Sequence, residues 1–226
     1  RSVISGSQCV YPASVHDPVS VRIAEDIGFE VAMFAGSIAS LAVLGAPDIV
    51  MLTLSEFAEQ AHRINRASDM PLLVDADHGY GNAMNVMRTV EELEAAGVAA
   101  LSIEDTLLPQ PFNSGGKTQL ISLQEGVGKM RAALTARGDE SLVIAGRTSA
   151  PAITNIADAI ERARAYQDCG VDAIFLVGVK TKQDLDAVAA VIKLPLFLGG
   201  VGKDLRDREF LAARAVRISL QGHQPF

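Results

Sequence analysis

The chain has 226 residues, 49% of them hydrophobic, enough to fill one α/β barrel or two small domains. Its net charge of −7 and pI near 5.1 exclude nucleic acid or an anionic membrane as the main partner, because both require a basic surface; a small anion met by local positive charge is still allowed. No run approaches the ~20 apolar residues of a membrane span, Arg1-Ser2-Val3-Ile4-Ser5-Gly6 lacks the apolar core of a signal peptide, and Cys9 and Cys169 fit no metal or redox spacing. A cytoplasmic protein with two reduced thiols is expected. The first residue is not Met, so a longer gene product is expected, and no linker divides residues 1–226, which are read as a single domain.

Short apolar runs alternate with amphipathic stretches from end to end, the pattern of repeated βα units on a parallel sheet. In chain order, strands are predicted at Cys9 to Val15, Val31 to Ala35, Leu72 to Asp75, Ala100 to Ile103, Leu142 to Arg147, Ala173 to Val177, Leu196 to Leu198 and Val216 to Leu220. A helix from Pro18 to Ile27 stops at Gly28, and Thr53-Leu54-Ser55-Glu56 opens the next long one with a capping box. The segments around Gly97 and Gly170 look alike: each is a helix end, a glycine and a new strand. Eight strands of this kind predict an α/β fold, a (β/α)8 TIM-type barrel with its active groups at the carboxyl ends of the strands. The sequence ends at Phe226, shortly after the eighth strand, so the closing helix is absent from this chain and a continuation or a neighbouring subunit is expected to cover that place.

Several polar residues then fall on one rim: Ser37, Asp75 with Asp77, Glu104 with Asp105, Arg147 and His223 follow or end strands two, three, four, five and eight. Asp75 and Asp77 lie two apart and project the same way, where two ionised carboxylates repel unless a cation or a shared proton intervenes. One acid alone would more often cap a helix or pair with a surface base. Three at adjacent strand ends, with Asp48 in the loop after strand two, favour a hard oxygen-seeking ion such as Mg2+ over zinc. Arg147 interrupts an apolar strand and needs either a protein acid or a ligand carboxylate. A lone histidine near a chain end is commonly solvated, though the place of His223 after strand eight raises its interest. Ser37 reads as a turn hydroxyl or part of an anion-facing backbone, and His78 and Tyr80 as residues that pack and orient the acid loop. The Gly199-Gly200-Val201-Gly202-Lys203 run has some likeness to a phosphate cradle but lacks P-loop spacing.

Over nearly the whole chain these residues resemble the isocitrate lyase and phosphoenolpyruvate mutase superfamily. The resemblance runs through Phe34-Ala-Gly-Ser37, Asp75-Ala-Asp-His-Gly-Tyr-Gly81, Ile103-Glu-Asp105, Arg147-Thr148 and Gly222-His223, and is strongest to the oxaloacetate decarboxylase branch. It implies a (β/α)8 barrel, a homotetramer that exchanges its C-terminal helix, and a small 2-oxo dicarboxylic acid bound with Mg2+, Mn2+ being the alternative ion. Asp75 is implied as the direct metal ligand, with Asp48, Asp77 and Glu104 acting through water. Ser37, Arg147 and His223 are implied as substrate-binding groups, the last two also in catalysis. Where carbon–carbon lyases of the superfamily carry Lys-Lys-Cys-Gly-His, this chain has Gln110-Pro-Phe-Asn-Ser-Gly-Gly-Lys-Thr-Gln119, which disfavours thiol-dependent cleavage of isocitrate or methylisocitrate. Ser149 stands where decarboxylase-like members tend to have Asn or Asp, and the Gly199 loop where they have a tyrosine; substrate identity is affected more than the metal. The expected activity is Mg2+-dependent decarboxylation of oxaloacetate to pyruvate through an enolate. The alternatives are another carbon–carbon lyase or hydrolase or a phosphonate-handling mutase of the superfamily, and a metal-dependent ligand-binding protein without turnover.

Overall fold

The computed structural model describes residues 1–113 and 115–222. Its strands are β1 (Ala13–Ser14), β2 (Ala32–Phe34), β3 (Leu72–Asp75), β4 (Ala100–Glu104), β5 (Val143–Thr148), β6 (Ala173–Val177), β7 (Leu196–Gly199) and β8 (Val216–Ser219). They form one parallel sheet in the order β1 to β8. The edges meet through a bridge between Val10 and Ile218, where the Val10 amide donates to the Arg217 carbonyl at 2.9 Å and the Ser219 amide to the Val10 carbonyl at 3.1 Å. All eight predicted strands are present. The first is much shorter than its predicted span because Pro12, with no N–H to give, stands between Val10 and β1.

The helices are α1 (Ser2–Ser5), α2 (Pro18–Asp26), α3 (Gly36–Ala39), α4 (Leu54–Asn65), α5 (Ala83–Ala95), α6 (Leu123–Ala136), α7 (Ala150–Ile153), α8 (Ile156–Cys169), α9 (Lys182–Ala189) and α10 (Arg208–Ala212), with a π-turn at Ser40–Leu44 after α3. The predicted capping box opens α4: the Glu56 amide donates to Thr53 Oγ1 at 3.3 Å and the Thr53 amide to Glu56 Oε2 at 2.9 Å. The two look-alike joints are the same device, since α5 and α8 both run out at a glycine, Gly97 at φ +83° and Gly170 at φ +96°, a left-handed turn that costs glycine little. No helix among the described residues is long and apolar enough to cross a membrane.

The strands are buried on both faces, as parallel strands under helices must be. In the core Phe34 of β2 stacks on Phe57 of α4 with ring centroids 4.9 Å apart, and Phe175 of β6 meets Phe197 of β7 at 6.3 Å. Truncating such a side chain to alanine typically costs about 3–5 kcal/mol. At the amino ends of the strands, Asp172 takes Arg1 and Arg137 at 2.5 and 2.6 Å and also accepts the Ile144 amide at 2.9 Å. The carboxyl ends are furnished differently.

Candidate active site

Asp75 is the last residue of β3 and Glu104 the last of β4, while Arg147 lies in β5 directly opposite Glu104 in the register. The strand ends therefore bring the three side chains together. One guanidinium nitrogen of Arg147 bonds Asp75 Oδ2, and the other lies 3.1 Å from Glu104 Oε2. Asp75 Oδ1 accepts the Ser102 hydroxyl at 3.1 Å and the Asp77 amide at 3.3 Å, and Glu104 Oε2 accepts the Thr106 hydroxyl at 3.0 Å. Beneath the guanidinium is the ring of Phe175, 5.4 Å from its centre, and Arg147 Nε is buried without a partner among the described residues.

Asp77 sits in left-handed backbone at φ +47° and packs on Gly36, the first residue of α3. A Cβ at position 36 would lie 2.5 Å from Asp77 Oδ1, so glycine is needed for this approach. Burial, then repulsion from Asp75, Glu104 and Asp48, pushes the Asp77 carboxyl well above the usual range. Burial also raises Glu104, against the pull of Arg147 and with repulsion from Asp75 added. The Asp48 loop has an open edge, yet loss of water around its carboxylate, ahead of repulsion from Asp75, raises that group too. For Arg147 burial opposes the charge, but Asp75 and Glu104 outweigh it and hold the guanidinium cationic.

Asp75 and Glu104 thus pair with one guanidinium, with Asp77 buried beside them and Asp48 at the exposed edge of the group, a gathering of oxygen donors with more negative than positive charge. No three carboxylate, imidazole or thiol side chains among the described residues converge on one point. An ion with few direct protein ligands and several waters, the habit of Mg2+, does not require such a convergence.

Ser37 is at the first turn of α3, at the carboxyl end of β2 and next to the Gly36 on which Asp77 rests. His223 lies outside the described residues, which end at Gly222. Asp105, expected on the rim, faces the other way: its Oδ2 accepts Arg162 Nη1 at 3.1 Å and the Tyr166 hydroxyl at 2.8 Å, both from α8. One step along a strand reverses the face, and β4 had placed Glu104 inward. The Gly199 run also has a packing cause. A Cβ on Gly199 would meet the Phe175 ring at 3.1 Å, and one on Gly202 would lie 2.2 Å from the Lys180 carbonyl oxygen, an acceptor unsuited to an anion.

His78 and Tyr80 do pack in the acid loop, with centroids 6.2 Å apart and Tyr80 6.4 Å from Phe57. Burial, and secondly Lys129, lowers His78 to about 4, so the imidazole is neutral. The sequence reading did not single out Lys129, which is 2% exposed and donates from Nζ to the His78 carbonyl at 2.9 Å. Its signal was a lysine within the buried stripe Gly126, Lys129, Met130, Ala133 of α6.

A barrel of this order with an acid-rich mouth at the carboxyl ends of β3 to β5 defines a class, and the chain belongs to the phosphoenolpyruvate phosphomutase family, whose model matches residues 1–225. Among individual relatives, it is 63% identical over 225 residues to an oxaloacetate decarboxylase of Rhodopseudomonas palustris (strain BisA53), a match that spans 100% of this chain and 78% of the relative. Two solved structures are similar throughout. A phosphonopyruvate hydrolase complexed with oxalate and Mg2+ has a TM-score of 0.87 at 29% identity, covering 99% of this chain and 79% of the other. An oxaloacetate acetylhydrolase complexed with the inhibitor 3,3-difluorooxalacetate also has a TM-score of 0.87, at 28% identity, covering 96% and 76%.

Proposed function

We propose that the protein is an oxaloacetate decarboxylase that releases CO2 and leaves pyruvate, with Mg2+ as its cofactor. The observation that carries the reading is the mouth itself, where Asp75 and Glu104 both pair with Arg147 and the repelling carboxyls of Asp77 and Asp48 stand beside them. The identity to curated decarboxylases selects the reaction within the family. Asp75 would hold the ion, with Asp48, Asp77 and Glu104 as the outer acids around it. When bound, Mg2+ supplies positive charge against which the electrons freed from the departing carboxylate accumulate.

The chain's own residues bind and orient. Arg147, whose two terminal nitrogens pair with Asp75 and Glu104 in the ligand-free chain, would turn from one of these acids to a substrate carboxylate, with Phe175 beneath it excluding water from that face. His223, outside the described residues, is read from the family resemblance as a second group that binds the dicarboxylic acid, and Ser37, with its backbone, as the group that orients the 2-oxo end. As the C3–C4 bond breaks, its electrons pass into the C2–C3 enolate, and a proton then returns to C3. Neither thiol belongs to this scheme: burial pushes Cys9 up to about 11, with Arg208 opposing, and Cys169 closes α8.

The same reading takes residues 1–226 as one cytoplasmic domain assembled as a homotetramer that exchanges its C-terminal helix. It draws support from an apolar cleft of about 590 Å³ lined by Tyr11, Ile23, Ile27 and Phe29 beside Gly222. Incubating the protein with oxaloacetate and Mg2+ and identifying the products tests the activity. Pyruvate and CO2 in equal amounts, abolished by a chelator, are expected; oxalate and acetate, or oxalate binding without turnover, would replace the reading.

A further inference from the structure

We infer that Lys129, seconded by Thr89, is a positioning residue of the acid mouth: it clamps the loop that presents Asp75 and Asp77 by holding its backbone carbonyls from behind. The inference rests on the metal reading given above and names what keeps that site in shape.

Four successive carbonyls of the loop are held, each by its own donor. The Ala76 carbonyl accepts the Gly79 amide at 2.9 Å, Asp77 the Glu104 amide at 2.8 Å, His78 the Lys129 ammonium at 2.9 Å and Gly79 the Thr89 hydroxyl at 3.0 Å, a hydroxyl whose one proton is shared with the Asn85 carbonyl of its own helix, also at 3.0 Å. The first two bonds are backbone contacts within the turn and to the next strand. The other two come from side chains on helices, α6 for Lys129 and α5 for Thr89, both almost entirely removed from water. The loop needs such support. Asp77 and Tyr80 stand at φ +47° and +59°, a left-handed backbone that side chains disfavour, and it persists only where the surroundings over-determine it.

An ammonium is a costly way to fill a core position on α6, where a methionine or leucine would pack without desolvating a charge. Burial does lower the pKa of Lys129, partly offset by Glu125, Glu104 and Asp105. A lysine kept there in spite of that cost needs a task that an apolar side chain cannot perform, and the bond to the His78 carbonyl is such a task. Charge alone cannot be its service to a metal site, because a fixed cation behind the acids repels a second one. The two roles therefore predict opposite signs. Without Lys129 a purely electrostatic effect tightens divalent-ion binding, whereas loss of the clamp loosens it.

The test titrates the metal-free protein with Mn2+ and follows the free ion by its paramagnetic resonance, which needs no turnover. Lys129→Met is expected to weaken binding about 10–100-fold, the range typical of lost outer support to a metal ligand, while circular dichroism stays that of wild type. Lys129→Arg, which keeps charge and donor, is expected to recover most of the affinity. Unchanged or tighter binding by Lys129→Met overturns the clamp. Should that variant fail to fold, Thr89→Val removes the neighbouring donor at constant volume, and wild-type affinity there overturns it equally. Asp75→Ala is titrated alongside. A wild-type protein that takes up no Mn2+ sinks the metal reading and the clamp together, whereas binding lost in Asp75→Ala but intact in Lys129→Met sinks the clamp alone.

Discussion

Glu104 and Asp105 are consecutive and both buried, yet the face of β4 on which each lies gives it a different electrostatic setting. Asp105 looks outward to α8, where one oxygen receives the Arg162 guanidinium and the Tyr166 hydroxyl, and Arg162 is itself steadied by Asp158 at 2.9 Å and the Ile121 carbonyl at 3.1 Å. Glu104 looks inward, where it shares Arg147 with Asp75 while Asp77 and Asp48 add their charge. On the outer face one oxygen of a lone carboxylate has its own cation and its own hydroxyl, as a structural ion pair requires. On the inner face the fold holds acids together against their repulsion, which makes sense where another cation completes the set.

The largest effect that separates the two faces comes from Asp75→Ala. Decarboxylation and Mg2+ binding by calorimetry should both fall by more than the ~100-fold typical of an outer-ligand loss. The thermal midpoint should hold or rise, since one repelling acid is gone and Arg147 retains Glu104. Equal Mg2+ affinity in wild type and variant would remove Asp75 from the metal site.

The outer face is broken by Arg162→Met, with the opposite signature. It leaves Asp105, whose side chain is 0% exposed, without its cation, and losing one partner of a buried pair typically costs about 3–5 kcal/mol. Denaturant unfolding should show that loss while Mg2+ affinity stays within about threefold of wild type. A variant of unchanged stability would mean that Asp105 simply takes up a proton at no cost.

The contrast also marks what could be read in the sequence. Strand ends and the acids they carry followed from apolar runs broken by Asp75 and Glu104, and the glycine stops followed from backbone rules that act within a few residues. The face of Asp105 did not, because it depends on whether a strand ends one residue earlier or later, and β4 runs through Glu104 where Ile103 was predicted to close it. The packing roles of Gly36 and Lys129 were missed for another reason. Their roles are contacts with Asp77 and with the His78 carbonyl, across separations that no local pattern encodes.

The smallest effect, and the one that compares both faces in a single experiment, is the pH dependence of stability in the metal-free protein. Burial and mutual repulsion raise Asp77, Glu104 and Asp48, and burial raises Asp105 in spite of Tyr166 and Arg162. Each therefore binds its proton more tightly in the folded chain than in the unfolded one, where carboxyls titrate near ~4. Where the native state holds more protons, stability falls as pH rises. The decline should begin at the ordinary carboxylate range, continue through the raised values and be complete above them. For one net proton, the thermal midpoint should drop by about 3–5 °C per pH unit within that window. Saturating Mg2+ favours the ionised acids of the mouth and should flatten their share of the slope, but it cannot reach Asp105 behind β4. The residue of slope that survives Mg2+ should therefore disappear in Asp105→Asn. A midpoint that climbs with pH in the metal-free protein would mean that the mouth is not short of positive charge, and the inner and outer faces of β4 would then be alike.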